Sequence, residues 1–231
     1  MMRKVLLFIL IFLTLAASAQ VRRQNVEVPQ FTQITVASGI NLIIKKSDKR
    51  QLVVEGERNA IANTICTVDS MGMLSISANR YKYRKVRRIN VYIDIDSTLS
   101  YISIKSSRVR FENEIAGESL ELKSNFGGEY YCIIDMQRLK VHLDNSSKLQ
   151  LFGKVADANI FLDQNSTVEA YKLDAKRMEI TIDNSAEANV NVSDALVIYG
   201  QHQAVVRYDG KPALTTQVVN CEVKPRFSRN E

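Results

Sequence analysis

From Leu139 to Gly210, apolar and polar positions recur with a period near nineteen residues. In register the chain reads LKVHLDNSSKLQLFGKVAD, ANIFLDQNSTVEAYKLDAKR, MEITIDNSAEANVNVSDA and LVIYGQHQAVVRYDG. Each unit is an alternating apolar run, a polar turn of Asp, Asn, Ser or Gln, and a second alternating run. A fixed period of this length marks a repeat architecture. Segments such as VHL, IFL, ITI and VIY are short, alternating or β-branched, and the Asp-Asn-Ser clusters between them favour αL turns. The pattern predicts strands rather than helices.

Val141, Ile160, Ile180 and Ile198 fall in one column, and continuing the period upward adds Leu122 and Ile104. A second column runs Ile102, Leu120, Leu139, Ala158, Met178, Leu196, and a third runs Cys132, Leu151, Ala170, Val190, Tyr208. Residues two apart on a strand share a face, so the first two columns line one interior. No rung can bury its apolar face alone, so stacking supplies the core. The expectation is an all-β, parallel β-helix-like solenoid with rungs of about nineteen residues over 99–212.

Residues 20–98 also read as strands: VEVPQFTQITVASG, GINLIIKK, LVVEGE and MLSISA, with GINLIIKK and LVVEGE joined as a hairpin through SDKRQ. This part is expected to cap the stack. Residues 213–231 are expected to add a closing strand around Thr215 to Val223 and a tail.

Residues 1–19 change the compartment. A basic start at Arg3 and Lys4, the apolar run VLLFILIFLTLAA and the site Ala17-Ser18-Ala19 have the three parts of a secretory signal peptide, with cleavage after Ala19. The run is short for a membrane span, and no second one follows, so no transmembrane segment is expected in the mature chain. Three cysteines in an exported chain allow one disulfide. The repeat places Cys132 inward, leaving Cys66 with Cys221 as the remaining choice of pair. No cysteine or histidine has metal-ligand spacing.

The formal charge of +6 includes Arg3 and Lys4, so about +4 remains without them. Much of the excess sits in RYKYRKVRR, where Arg80, Lys82, Arg84, Lys85, Arg87 and Arg88 surround Tyr81 and Tyr83. Basic residues interleaved with aromatics suit nucleic acid in the cytosol. Export excludes that partner and turns the reading toward acidic glycans or lipid head groups, against a solvated loop or charged edge strand.

Phe31-x-x-Ile34-x-Val36-x-x-Gly39-Ile40-Asn41-Leu42-x-Ile44, then LVVEGE, Gly72-x-Leu74-x-Ile76 and INVYIDIDSTLSYISI, together resemble the head GIN domain family, named for auto-transporter adhesins. The resemblance spans roughly residues 27 to 212, with Gly39-Ile40-Asn41 in the place of the family's tripeptide. It implies an exported bacterial protein with a right-handed β-helix-like body, and it brings no catalytic residues. The chain differs in turns richer in Asp and Asn than in Gly and Ser.

The turns hold the remaining chemistry. Asn125, Asp144, Asp163, Asp183 and Gln201 share one position, followed by Asn145, Gln164, Asn184 and His202, with Asn165 one step on. Stacked carboxylates repel unless compensated, and Ca²⁺ at Asp144, Asp163 and Asp183 would do so with oxygen ligands. The alternative is a ligand-free ladder of Asx turns and stacked amides. No nucleophile elbow, phosphate loop or HExxH is present. Three functions follow: a non-catalytic envelope or surface module binding glycan or protein through the solenoid face, a structural or regulatory periplasmic protein, and a polysaccharide-active enzyme using the acidic column.

Overall fold

The computed structural model describes residues 21–79, 89–96 and 99–226. The chain forms a β-solenoid of about seven turns with rungs of about nineteen residues. The first strands are β1 (Arg22–Val26), β2 (Gln33–Ala37), β3 (Ile40–Lys46) and β4 (Gln51–Gly56); a one-turn helix α1 (Arg58–Ala62) follows. Then come β5 (Thr64–Val68), β6 (Met73–Ala78), β7 (Ile89–Ile95), β8 (Tyr101–Lys105) and β9 (Arg108–Phe111). The repeat region holds β10 (Ile115–Asn125), β11 (Glu129–Leu143), β12 (Lys148–Leu162), β13 (Thr167–Ile182) and β14 (Glu187–Gln201). It closes with β15 (Val205–Asp209), β16 (Ala213–Val219) and β17 (Glu222–Pro225), split at Asn220, whose φ of 52° turns the chain.

Alternation along each strand decides which side chains enter the core. Val141 lies beside Leu122 and Ile160, and Ile160 beside Ile180, which lies beside Ile198. All five are fully buried. A parallel column on the other face runs Val109, Tyr130, Leu149, Val168, Ala188 and Val206. The two columns face each other across one continuous core.

The top of the repeat differs from the expected register. Ile102 lies beside Leu122, and Ile104 beside Ser124, two residues from the alignment of Ile104 with Leu122 and of Ile102 with Leu120. A two-residue slip leaves every inward residue inward, so alternation is blind to it. Packing decides it. A Cβ on Gly128 would lie 2.1 Å from Ser124 Oγ and 2.8 Å from Ile104 Cγ1, so the bare glycine makes room for that isoleucine.

The N-terminal strands are part of the same stack, but out of sequence order. β2 pairs in parallel with β8 on one side and β6 on the other, and β3 pairs in parallel with β9 and β7. The rung β2–β3 therefore sits between β8–β9 and β6–β7. The expected hairpin of β3 with β4 does not form, because β7 inserts between them and β4 pairs antiparallel with β7 and with β1. The alternating INVYIDI of β7 buries Ile89, Val91, Ile93 and Ile95, a complete inner face that a β3–β4 hairpin would leave uncovered.

The three cysteines are free thiols. Cys66 lies on β5, paired antiparallel to β6 at the N-terminal end, and Cys221 follows β16 at the C-terminal end. The pairing of Cys66 with Cys221 is thus ruled out by the length of the stack, since a disulfide requires Cα atoms about 6 Å apart. Burial pushes the Cys66 thiol up to about 11. No helix among the described residues is long and apolar enough to cross a membrane.

Candidate functional site

Four consecutive rungs reverse through a turn with two successive left-handed residues: Asn145 and Ser146, Gln164 and Asn165, Asn184 and Ser185, His202 and Gln203. In the last three turns the residue after the pair donates its N–H to the residue before it: Ser166 to Asp163 (3.2 Å), Ala186 to Asp183 (3.1 Å) and Ala204 to Gln201 (3.3 Å); in the first the Ser147 hydroxyl donates to the Asp144 carbonyl. Two positive φ values and an i to i+3 bond make a type I′ turn, a conformation open to Asn and Asp. Turns also bond to one another. Ser146 N–H donates to Gln164, Asn165 to Asn184 and Ser185 to His202, at 2.8 to 3.0 Å.

The side-chain column uses the same turns. Asp144, Asp163 and Asp183 each accept the N–H of the following residue, at 2.6, 2.8 and 2.6 Å. Asn145 donates to Asn125 (2.7 Å), Asn184 to Asp163 (2.7 Å), and Gln201 to Asp183 (2.9 Å). His202 Nδ1 lies 2.6 Å from the other Asp183 oxygen. Donors from the next turn thus reach Asp163 and Asp183, whereas the bond to Asp144 comes from its own turn. Asn165 enters the ladder through its backbone N–H, which donates to Asn184. Among the described residues, no three His, Cys, Asp or Glu side chains are grouped to hold a metal ion.

Beside this column runs an outward row on the strands themselves. Ser103, Lys123, His142, Phe161, Thr181, Tyr199 and Gln217 lie in register across seven strands. The His142 and Phe161 rings stack 4.6 Å apart at 8°. Tyr199 is 42% exposed. Row and turn column share an open groove of about 620 Å³, lined among others by Lys123, His142, Phe161, Asp163, Thr181 and Asp183. Thr181 is the small side chain in register between Phe161 and Tyr199, which stand two strand spacings apart, roughly 10 Å.

Electrostatics set the protonation of this face. Burial lowers the His142 pKa, the positive charges of Lys140 and Lys123 lower it further, and Glu121 opposes them. At Asp183 burial works to raise the pKa, but hydrogen bonds from His202, Gln201 and the Asn184 N–H outweigh it and the net shift is downward. A depressed histidine gives stability that is complete above its ordinary value of 6.5 and is lost as pH falls through the folded value. An NMR titration should show His142 titrating below 6.5, with the melting temperature falling across the same range. His142→Gln should remove that part of the fall. A His142 midpoint at or above the ordinary value would refute this account.

The basic stretch Arg80, Tyr81, Lys82, Tyr83, Arg84, Lys85, Arg87 and Arg88, and the segment 1–19 expected to be a leader, lie outside the described residues. The turn positions Asn125, Asp144, Asn145, Asp163, Asn165, Asp183 and Asn184 are brought together along one edge of the stack. Sequence reasoning followed the turns and missed the row beside them. The signal was present in the position two residues before each turn, which reads Lys123, His142, Phe161, Thr181 and Tyr199.

A family model described as "Putative auto-transporter adhesin, head GIN domain" matches residues 30–212. The chain belongs to the head GIN domain family. Its fold is shared with a crystal structure named as a putative adhesin from Bacteroides fragilis, at TM-score 0.80 and 21% identity, covering 90% of this chain and 98% of that one. A second, so named from Parabacteroides merdae, aligns at TM-score 0.74 and 11% identity over 91% and 98%. A third, named as a putative lipid binding protein from Parabacteroides distasonis, aligns at 0.67 and 14% over 91% and 98%. No curated protein matches.

In this head GIN domain the tripeptide has a physical account. Ser38 and Gly39, with φ of 71° and 67°, repeat the left-handed pair of the later turns. Ile40 is fully buried against Ile89. Asn41 donates to Asn90 (3.1 Å), which donates to Glu55 (3.0 Å), beginning a polar chain on the outer face. The Asn90 and Arg23 hydrogen bonds hold the Glu55 carboxyl below its ordinary range. Turn, core and outer ladder thus each take one residue of the three.

Proposed function

We propose that this chain is an exported, non-catalytic surface module that binds a glycan along the outer face of the solenoid. The observation that carries the reading is the row Lys123, His142, Phe161, Thr181, Tyr199 running in register beside the turn column Asn125, Asp144, Asp163, Asp183, Gln201. A sugar offers an apolar C–H face and a rim of hydroxyl donors. Aromatic side chains take the first, and carboxylate and amide oxygens accept from the second. Both are held on a rigid sheet, so little ordering cost falls on binding. The groove beside Phe161 and Thr181 is where a ring would sit. Export is supported by the leader pattern of residues 1–19, and a surface role by the adhesin name of the family.

The test is retention of the mature protein on a panel of polysaccharides, with newly released chain ends measured in the same samples. Phe161→Ala should weaken retention by about tenfold, a loss of roughly 1.4 kcal/mol, while melting stays cooperative because the partly buried ring lies outside the core. Undiminished retention in Phe161→Ala would remove the row from consideration. Released chain ends would make the Asp144, Asp163, Asp183 column catalytic and overturn the non-catalytic reading.

A further inference from the structure

The two ends of the solenoid are finished differently. At the N-terminal end, β5 lies antiparallel on β6 and β1 antiparallel on β4, and α1 buries Ala60 and Ile61 there. At the C-terminal end, β16 pairs in parallel with β14, and β17 with β15; among the described residues neither has a partner on its other side. The outer edge of β16 is therefore a row of unpaired backbone donors and acceptors over seven residues.

Sheets ordinarily blunt such an edge with charge, proline or a bulge. β17 does so with Glu222, Lys224 and Pro225. β16 does not. Its sequence, Ala-Leu-Thr-Thr-Gln-Val-Val, carries no charge and no proline, and β-branched residues occupy four of its positions. Leu214, Thr216 and Val218 continue the inward columns of Leu196, Ile198 and Gly200, yet no rung covers them. Leu214 is 42% exposed, and Thr216 is exposed as well. Core-facing positions thus stand open to solvent at this end.

We propose that the edge of β16 pairs antiparallel with β16 of a second copy of this chain, about a two-fold axis at Thr216, giving an end-to-end dimer. A strand edge accepts a strand, and β16 is its own complement in this register. Thr216 faces its twin, Thr215 faces Gln217, Leu214 faces Val218 and Ala213 faces Val219. The inward pair Leu214 and Val218 covers the open core from both sides, the outward pair Thr215 and Gln217 can exchange hydrogen bonds, and no like charges meet. A two-fold axis normal to the sheet maps inner face to inner face, so both cores join. An isologous contact of this kind closes on itself.

The register makes the test specific. Thr215 and Gln217 are exposed and point away from the core, so changing them spares the fold of one chain. Sedimentation of the mature wild-type protein should show twice the chain mass. T215K/Q217K sets new lysines opposite one another and should halve that mass with the melting curve otherwise that of a folded solenoid. T215E/Q217K sets glutamate opposite lysine in the same register and should restore the dimer. The proposal is overturned if the wild-type protein sediments as a monomer up to its solubility limit, or if the two double variants sediment alike. Growth beyond the dimer, as head-to-tail stacking of β16 onto β5 would give, also overturns it. None of these outcomes depends on glycan binding.

Discussion

Ile160→Ala lowers the unfolding free energy by about 2–5 kcal/mol. Ile160 is fully buried, packed in its column between Val141 and Ile180. Truncation removes three carbons from a site walled above and below by strands about 4.8 Å away, and those strands are held by their own hydrogen bonds, so the cavity cannot collapse. In a stack whose stability sums neighbour terms, damage to a central rung weakens two interfaces at once. The same change at the end of the stack tells the two apart. Leu214→Ala, at a position already 42% exposed in the isolated chain, should cost under about 1 kcal/mol in the monomer. Urea unfolding of both variants, the second in the monomeric T215K/Q217K background, checks the contrast; equal losses would contradict a core built rung by rung.

Gly153→Ala is the second large effect, expected at about 2–4 kcal/mol. Gly153 sits mid-strand on β12 with φ of 101°, beside Ile134. A Cβ there would lie 2.1 Å from the Ile134 carbonyl oxygen, a backbone atom bound into the neighbouring rung. Relief requires moving one strand of the stack against another. Gly127→Ala is the control: its φ of 72° is also left-handed, but the added Cβ meets nothing within 4 Å. It should cost only the conformational strain, about 1 kcal/mol. Thermal melting that ranked Gly127→Ala as the more harmful of the two would show that φ, not the close approach, is the constraint at Gly153.

Much of the turn chemistry was legible because it is local. Asn145, Asn184 and their neighbours are short polar residues at the positions where the backbone turns left-handed, and their carboxylate and amide partners lie one period away. The row of His142 and Phe161 was harder to see. Each of its residues occupies an ordinary outward strand position, and only the stacking of one rung on the next turns separate side chains into a surface. Ser147 and Ser166 follow the left-handed pairs and are fully buried, and the Ser147 hydroxyl donates to the Asp144 carbonyl at 2.6 Å, a burial that only the stacking of rungs produces.

What the sequence by itself determined was the period, the inward faces and the places where the chain turns. Each of these rests on interactions within a few residues: alternation places Val141 and Ile160 inside, and Asp-Asn-Ser runs supply left-handed turns. The tertiary structure alone decided which strands are neighbours. It put β2–β3 between β6–β7 and β8–β9, split β3 from β4 with β7, and set Ile104 beside Ser124. The backbone bonds that join strands are the same for every residue, and a slip of two leaves each side chain on its own face. Only the fit of one rung against the next, such as Ile104 over the bare Gly128, distinguishes one arrangement from another.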